Sequence, residues 1–199
     1  MDSGAAEDAD DVDLVWYVSY GSNLCAARFA CYLGGGRPLG AARDYPGCAD
    51  PTPPRRAVPV WLPGGIYFAL RSRVWGGGMA FYDPALPGRV AARGYLITAA
   101  QFADVVDQEM HRAPGPGLDL APVLRHGRDT IGPGRYETLL RVGECDGRPL
   151  LTFTAPWTAA DVEHTRPTVA YLDTLATGLR ETYHWEPAQV DAYLAQFLR

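Results

Sequence analysis

The sequence of 199 residues contains no lysine, so its 18 basic residues are all arginine. Without a side-chain amine the chain cannot perform Schiff-base catalysis, attach pyridoxal phosphate or build a phosphate-binding loop around a lysine. Long hydrophobic runs are absent too, because no apolar segment approaches the ~20 residues that cross a bilayer. We therefore expect no membrane partner.

The four cysteines, Cys25, Cys31, Cys48 and Cys145, form no Cys-x-x-Cys pair and have no neighbouring histidine at the spacing of zinc ligands. This pattern predicts no metal site. In a chain that we expect to be cytoplasmic, we interpret the cysteines as small buried or half-buried apolar side chains rather than as nucleophiles.

Basic residues are missing from the first 13 positions, which carry six acidic residues. This segment lacks the positive start and the apolar stretch of a secretory signal. We expect a disordered acidic tail at residues 1–13, a single domain at 14–199 and a cytoplasmic location. Without the tail the formal net charge of −5 becomes nearly neutral. Such a body has no basic field, so we expect no nucleic-acid partner.

The apolar residues 14–18 are rich in β-branched and aromatic side chains and predict a buried strand. Gly21 then allows backbone paths that a Cβ would resist, and Ser22 and Asn23 can begin a helix. A strand, turn and helix in this order present backbone N–H groups to one anion or carbonyl oxygen. The pattern indicates a small-molecule site, although a tight turn without a ligand has the same sequence.

Glycine, proline and apolar spacing divide the rest of the chain into short elements. We expect further strands at residues 66–70, 79–82, 93–97, 136–142 and 150–154, the last two joined by a turn at Asp146 and Gly147. We expect helices at residues 23–33, at 99–111 after a Thr98 cap, from 167 and at 187–198. We expect a loop with short extended pieces at 44–65 and a loop at 113–135. These elements indicate an α+β domain, a small mixed β-barrel flanked by short α-helices.

Four blocks of sequence occur in an order that is typical of one protein family. They are Tyr17 with the Tyr-Gly-Ser-Asn-Leu of residues 20–24, a Val-Trp-Gly strand at 74–76, Glu109 after an apolar helix, and a Pro-Thr-x-x-Tyr-Leu helix start at 167–172. The chain thus resembles the gamma-glutamylcyclotransferase family over most of residues 14–183. The resemblance implies a closed or nearly closed β-barrel with short helices around it.

The resemblance also implies a reaction within a small-molecule γ-glutamyl substrate. The α-amine attacks the γ-carbonyl, closes a five-membered lactam and releases 5-oxoproline and a free amine. The nucleophile belongs to the substrate, so the reaction needs neither water nor a cofactor. The enzyme holds the reactive conformer and moves a proton, which one carboxylate with a raised pKa can do.

Glu109 is the candidate for that carboxylate, acting as general acid and base. The alternative is a solvated surface glutamate, which is what we expect of Asp104 and Asp107 nearby. The residues that the resemblance implies in substrate binding are Tyr17, Val18, Ser19, Tyr20, Gly21, Ser22, Asn23 and Tyr171. Backbone N–H groups at 20–22 can stabilise an oxyanion or hold a carboxylate.

Other polar residues near these blocks have plainer interpretations. Tyr171 fits a core aromatic as well as a substrate contact, and for Tyr136 we favour packing. We interpret His111 as a surface histidine and Arg112 as a solvated arginine close to a helix end.

The chain departs from the family after Glu109, where Met110, His111 and Arg112 replace the usual glycine and an insertion occupies residues 113–135. A long loop there can reshape the pocket for the released group. The sequence leaves open whether the protein is a monomer or a homodimer, and the departure leaves open which γ-glutamyl amino acid or amine is the substrate. It also leaves open a non-catalytic module that binds a small carboxylate or amide on the same fold.

Overall fold

The strand that leads into the predicted loop, β1 (Leu14–Ser19), has all six residues buried. Apolar β-branched and aromatic side chains pack well on both faces of such a central strand.

The computed structural model describes residues 14–38, 44–112, 115 and 117–198. The predicted acidic tail at 1–13 lies outside these residues.

The described residues form seven more strands and five α-helices. The strands are β2 (Arg56–Pro63), β3 (Gly65–Ala69), β4 (Met79–Asp83), β5 (Arg89–Thr98), β6 (Arg128–Thr130), β7 (Thr138–Cys145) and β8 (Arg148–Thr154). The helices are α1 (Ala26–Gly34), α2 (Ala99–Glu109), α3 (Ala121–His126), α4 (Val169–Tyr183) and α5 (Pro187–Leu194). Single 3₁₀ turns lie at Ser22–Leu24, Ala159–Asp161 and Ala195–Phe197.

The fold combines helices with a mixed sheet, so the predicted α+β class is confirmed. The sheet is open, so the predicted barrel is wrong. Six strands hydrogen-bond in the order β2-β5-β1-β8-β7-β6, and β3 and β4 form a separate hairpin. In the described part of the chain no ladder joins this hairpin to the sheet. Instead the Thr154 hydroxyl donates to the carbonyl of Tyr82 at 2.7 Å. Because this contact is made by a side chain and not by a strand ladder, it does not close the large sheet, and β2 and β6 remain its two end strands.

The loop expected at residues 44–65 was predicted to hold only short extended pieces, but it contains an eight-residue strand, β2. Prolines misled that prediction, because Pro59 and Pro63 both lie inside the strand. Strand β2 pairs only with β5 and forms one end of the sheet. Proline is tolerated there, since its missing N–H deprives no second neighbour of a hydrogen bond.

Two further expectations are wrong in detail. Residues 113–135 are not one loop, because α3 and β6 lie within them. Residues 74–76 form a turn and not a strand. In that turn the Ser72 hydroxyl accepts hydrogen bonds from the N–H groups of Val74 and Trp75, at 3.1 and 3.0 Å. A short polar side chain thus satisfies donors that a strand ladder would otherwise satisfy.

Helix α2 begins where the sequence places it. The Thr98 hydroxyl accepts from the N–H of Gln101 at 3.1 Å, and the Gln101 side chain accepts from the N–H of Thr98 at 3.0 Å. This reciprocal cap is the capping box that stabilises helix N-termini. It fixes the start of the helix whose last residue is Glu109.

Alternate residues of β1 belong to two separate clusters of the core. Trp16 and Val18 pack in the cluster that contains residues of α4 and α5, whereas Val15 and Tyr17 pack with residues of α1 and α2. This alternation follows from the two-residue period of a strand. Strand β1 therefore lies between two layers of helices, and its last residues lead into the loop where both layers meet.

Helix α4 lies tightly against that loop at Gly178. A Cβ at Gly178 would overlap with the backbone of Leu24 and Cys25, at the end of the Ser22–Leu24 turn. Glycine is therefore required at position 178, although this position lies in a helix interior, where glycine lowers the stability of the helix by up to ~1 kcal/mol relative to alanine. The close approach fixes the loop against α4.

We expect Gly178→Ala to lower the free energy of unfolding by about 1–3 kcal/mol, because the methyl group must displace backbone atoms. Urea denaturation measures the change. The matched control is Gly34→Ala, since a Cβ at Gly34 meets nothing within 4 Å. The control should be neutral or slightly stabilising. Equal destabilisation by both substitutions would contradict the packing argument.

Candidate functional site

A hollow lies between the loop that follows β1 and the end of α2, and it encloses about 330 Å³ of space, part of it open to solvent. Eight of the nine predicted site residues line it: Tyr17, Ser19, Tyr20, Gly21, Ser22, Asn23, Glu109 and Tyr171. The outermost two, Tyr17 and Tyr171, are 154 positions apart in the sequence, and the fold brings all eight together.

Val18 is the ninth predicted residue, and its side chain does not line this hollow. It is fully buried in the cluster that contains residues of α4 and α5, on the opposite face of β1 from Tyr17. Its carbonyl accepts a hydrogen bond from the Thr152 hydroxyl at 2.8 Å. The alternation of side chains along a strand explains why its neighbours Tyr17 and Ser19 face the hollow and Val18 does not.

Glu109 is half-buried at the C-terminal end of α2, and its Oε1 accepts a hydrogen bond from Asn23 Nδ2 at 3.3 Å. The same Nδ2 donates to the Tyr17 hydroxyl at 3.2 Å. Burial raises the pKa of the Glu109 carboxyl group, and the charge of Arg28 only partly opposes the rise. Such a carboxyl differs from a solvated surface glutamate, since it holds its proton to higher pH.

The neighbours of Glu109 on α2 correct a prediction. Asp104 was expected at the surface, but it is buried and accepts the N–H of Ala49 at 2.8 Å. Asp107 is half-buried and pairs with Arg112 at 2.9 Å. The sequence of α2 does not show which of its carboxylates finds a buried partner, because that partner comes from a distant segment of the chain.

Two tyrosines hold β4 beside the loop. The Tyr171 hydroxyl accepts the N–H of Ala80 at 3.3 Å, and the Tyr136 hydroxyl donates to the carbonyl of the same residue at 2.9 Å. A Cβ at Gly21 would come within 3.4 Å of the Tyr171 hydroxyl, and burial raises the pKa of that hydroxyl to about 12. Tyr171 therefore packs in the core and lines the hollow at the same time. Tyr136 also packs in the core, as expected, and lines the hollow as well.

Arg28 is a part of the site that sequence analysis missed. It is buried in α1, where its Nε donates to the Ser22 hydroxyl and its Nη2 to the Tyr45 hydroxyl, both at 2.8 Å. Its guanidinium carbon lies 5.1 Å from the centre of the Trp75 ring, within cation–π range. The available signal was an arginine between apolar residues on a helix that begins directly after the loop.

A second hollow of about 410 Å³ adjoins the first, and Ser22, Glu109, Tyr136 and Tyr171 line both. Its other walls include Arg28, Arg73, Trp75, His111 and Arg135. His111 is exposed, with its Nε2 2.8 Å from Nη2 of Arg135. It thus lies at the mouth of this hollow rather than on an unrelated surface.

Metal and membrane features are absent from the part of the chain that the structure describes. No group of three or more His, Cys, Asp or Glu side chains there has the arrangement of a metal site. The four cysteines are free and half-buried, which agrees with their interpretation as small apolar side chains. None of the described helices combines the length and the apolar character needed to span a bilayer.

Comparison with known proteins finds similarity in both sequence and structure. No protein-family model matches the chain. Histone deacetylase 5 of Arabidopsis thaliana is 32% identical over 198 residues, an alignment that covers 90% of this chain and 30% of that protein. The chain therefore spans less than a third of the length of this curated relative.

Two solved structures superpose on nearly the whole chain. A gamma-glutamyl cyclotransferase has a TM-score of 0.53 at 14% identity, covering 93% of this chain and 88% of its own. The crystal structure of an uncharacterized human protein has a TM-score of 0.54 at 15% identity, covering 92% and 88%. These structures confirm the predicted cyclotransferase-like fold, and at such identities they establish the fold alone.

We expect Glu109→Gln to raise the melting temperature at about pH 8, because glutamine removes an ionised group that burial disfavours. The raised pKa means that ionisation costs folding free energy as pH rises above the ordinary glutamate value of about 4.3. Below that value both states are protonated, so the difference should vanish at about pH 4.

Thermal unfolding of wild type and variant across this pH range measures the effect. The exposed Glu163 provides the matched control, and Glu163→Gln should shift the melting temperature little at any pH. A Glu109→Gln variant that is destabilised at about pH 8, or shifted equally at all pH values, would show that burial does not penalise this charge.

Proposed function

We propose that this chain, which has the gamma-glutamyl cyclotransferase-like fold, is a cyclotransferase that releases 5-oxoproline and an amine or amino acid from a γ-glutamyl compound. One observation carries the proposal. Glu109, whose pKa is raised, lines the same hollow as the loop at residues 19–23. A carboxyl with a raised pKa beside backbone donors is suited to proton transfer next to a developing oxyanion.

In this mechanism Glu109 first accepts a proton from the substrate α-ammonium. The free amine attacks the γ-carbonyl carbon, so that a C–N bond forms and the carbonyl oxygen becomes an oxyanion. The oxyanion then re-forms the carbonyl as the bond to the old amine breaks, and Glu109 returns its proton to that leaving nitrogen. The ring nitrogen, which still carries two hydrogens, loses its second proton through Glu109 to the released amine, which leaves as an ammonium ion. Every atom comes from the substrate, so no water or cofactor enters the balance.

Asn23 is suited to place the reacting amine beside Glu109. Its Nδ2 holds both the Glu109 carboxyl and the Tyr17 hydroxyl, whereas its Oδ1 is buried and has no hydrogen-bond partner among the described residues. A buried acceptor without a donor costs about 1–3 kcal/mol. An N–H of the substrate ammonium satisfies Oδ1 while another faces Glu109, which orients the amine for attack.

The loop and Tyr171 complete the proposed binding site. Backbone N–H groups at residues 20–22 lie where the chain leaves the sheet, so we assign them to the oxyanion. The Tyr171 hydroxyl lies over Gly21, where it limits the width of the hollow. The substrate is then held in the bent conformer that brings its amine to its own carbonyl, which is worth up to ~7–11 kcal/mol in aligned systems.

We expect Glu109→Gln to reduce 5-oxoproline release by roughly 10²–10⁴-fold, since it removes the proton acceptor and donor. The assay follows 5-oxoproline from a panel of γ-glutamyl amino acids, dipeptides and amines. Glu163→Gln, a change of the same kind on the surface, should keep full activity.

Two results would contradict the assignment. Equal activity of wild type and Glu109→Gln would show that the reaction does not require Glu109, and His111 would become the next candidate for proton transfer. No release from any donor by folded wild type would contradict the enzyme. Binding of glutamine or 5-oxoproline would then favour the alternative, a module that binds a small carboxylate or amide.

We expect Tyr171→Phe to lower kcat/KM by roughly tenfold, the effect of one lost hydrogen bond in a binding site. Tyr193→Phe is the matched control, because that hydroxyl also accepts a backbone N–H, from Ala91 at 2.8 Å, and is remote from the hollow. Both variants should lose similar stability, measured by urea denaturation. Equal losses of activity would reduce Tyr171 to a packing residue.

A further inference from the structure

The second hollow has an excess of positive charge. Three arginines, Arg28, Arg73 and Arg135, line it, and Glu109 is the one carboxylate among its described lining residues. This contrasts with the nearly neutral body of the chain. Arginine is the side chain best suited to bind planar anions with two parallel hydrogen bonds.

Two of these arginines have hydrogen-bonding capacity that the described residues do not use. Nη1 of Arg28 and Nε of Arg135 are both buried, and neither has a hydrogen-bond partner in the described part of the chain. Neither guanidinium forms a salt bridge with a described carboxylate, whereas the ion pairs of the described residues involve other arginines. Buried donors and charges without partners are costly, so they are normally satisfied.

The remaining hydrogen bonds of both side chains hold them in place. Arg28 is fixed by Ser22 and Tyr45, and Arg135 donates from Nη2 to the carbonyl of Glu109 at 3.3 Å and contacts His111. Both guanidinium groups are therefore pre-organised beside the proposed proton-transfer residue. An anion that reaches these two groups meets donors that the fold already holds in place.

We propose that Arg28 and Arg135 form a carboxylate subsite next to Glu109, so that the protein acts on γ-glutamyl compounds whose carboxylate lies against this pair. The inference rests on the proposed function for the identity of the ligand. Two carboxylates meet the requirement. One is the α-carboxylate of the γ-glutamyl group itself, and the other is the carboxylate of a released amino acid.

The test uses Arg135→Met, which keeps much of the side-chain length and removes the donors. Arg135 is the better position because it is half-buried, whereas Arg28 has three aromatic neighbours in cation–π contact and supports the loop. Arg125→Met on α3, an exposed arginine outside both hollows, is the matched control. Two donors are compared, γ-glutamyl-alanine and γ-glutamyl-ethylamide, which differ by the carboxylate of the released group.

We expect Arg135→Met to raise KM by roughly 10–100-fold, the range for a lost hydrogen bond to a charged group, with kcat less affected. A rise for both donors assigns the subsite to the α-carboxylate. A rise for γ-glutamyl-alanine alone assigns it to the released amino acid. An unchanged KM for both donors overturns the subsite. A fall in kcat alone also overturns it, because Arg135 would then only position Glu109.

A binding experiment separates this inference from the proposed function. Titration calorimetry with glutarate, a dicarboxylate with the chain length of the γ-glutamyl group, needs no turnover. We expect binding by wild type and by Arg125→Met, binding weakened at least ~10-fold in Arg135→Met and in Arg28→Lys, and no binding of neutral glutaramide. If no donor yields 5-oxoproline but glutarate binds in this pattern, the proposed reaction fails and the subsite stands. Glutarate binding that is absent from wild type, or equal in all variants, overturns the subsite.

Discussion

The hydrogen bond from the Asn23 amide to the Glu109 carboxyl joins the two halves of the site. Asn23 belongs to the turn after β1, and Glu109 ends α2 on the other side of a hollow. The same amide group holds the Tyr17 hydroxyl, so strand, loop and helix share one donor. A carboxyl in this position loses much of its hydration. The few hydrogen-bond donors that reach it therefore have a large influence on its pKa.

The surroundings of this contact are built largely from tyrosine. Four tyrosines are buried and line the first hollow, and the hydroxyl of each one forms a hydrogen bond within the fold: Tyr17, Tyr20, Tyr136 and Tyr171. Tyrosine combines a large apolar ring, which packs in the core, with a hydroxyl that anchors backbone or side-chain groups. The site is therefore rigid, and its unused polar atoms are concentrated on Asn23, Arg28 and Arg135. Buried polar groups without partners, gathered around one hollow, indicate a place where function outweighs stability.

Prediction from sequence succeeded for local features. It failed where one residue type occurs in two kinds of environment, such as proline in loops and end strands or aspartate in solvent and in the core. The strand before the loop, the capping box at Thr98 and the turn at Asp146 and Gly147 are confirmed, because each depends on adjacent residues. Proline at 59 and 63 suggested a loop, but an end strand accepts it. Likewise Asp104 was expected in solvent, yet the N–H of Ala49 provides it with a buried partner. The predicted barrel was wrong because closure depends on strands far apart in sequence.

The sequence by itself determined the central strand, the glycine-containing loop that follows it, the helix that ends at Glu109 and the family-like order of these blocks. Short-range spacing and capping encode such elements, so they are readable without a structure. The tertiary structure alone decided that Val18 faces away from the hollow, that Arg28 and Arg135 lie beside Glu109, and that the sheet stays open. These features depend on how distant elements pack against one another. Burial, and with it the raised pKa of Glu109, is a property of that packing and not of the local sequence.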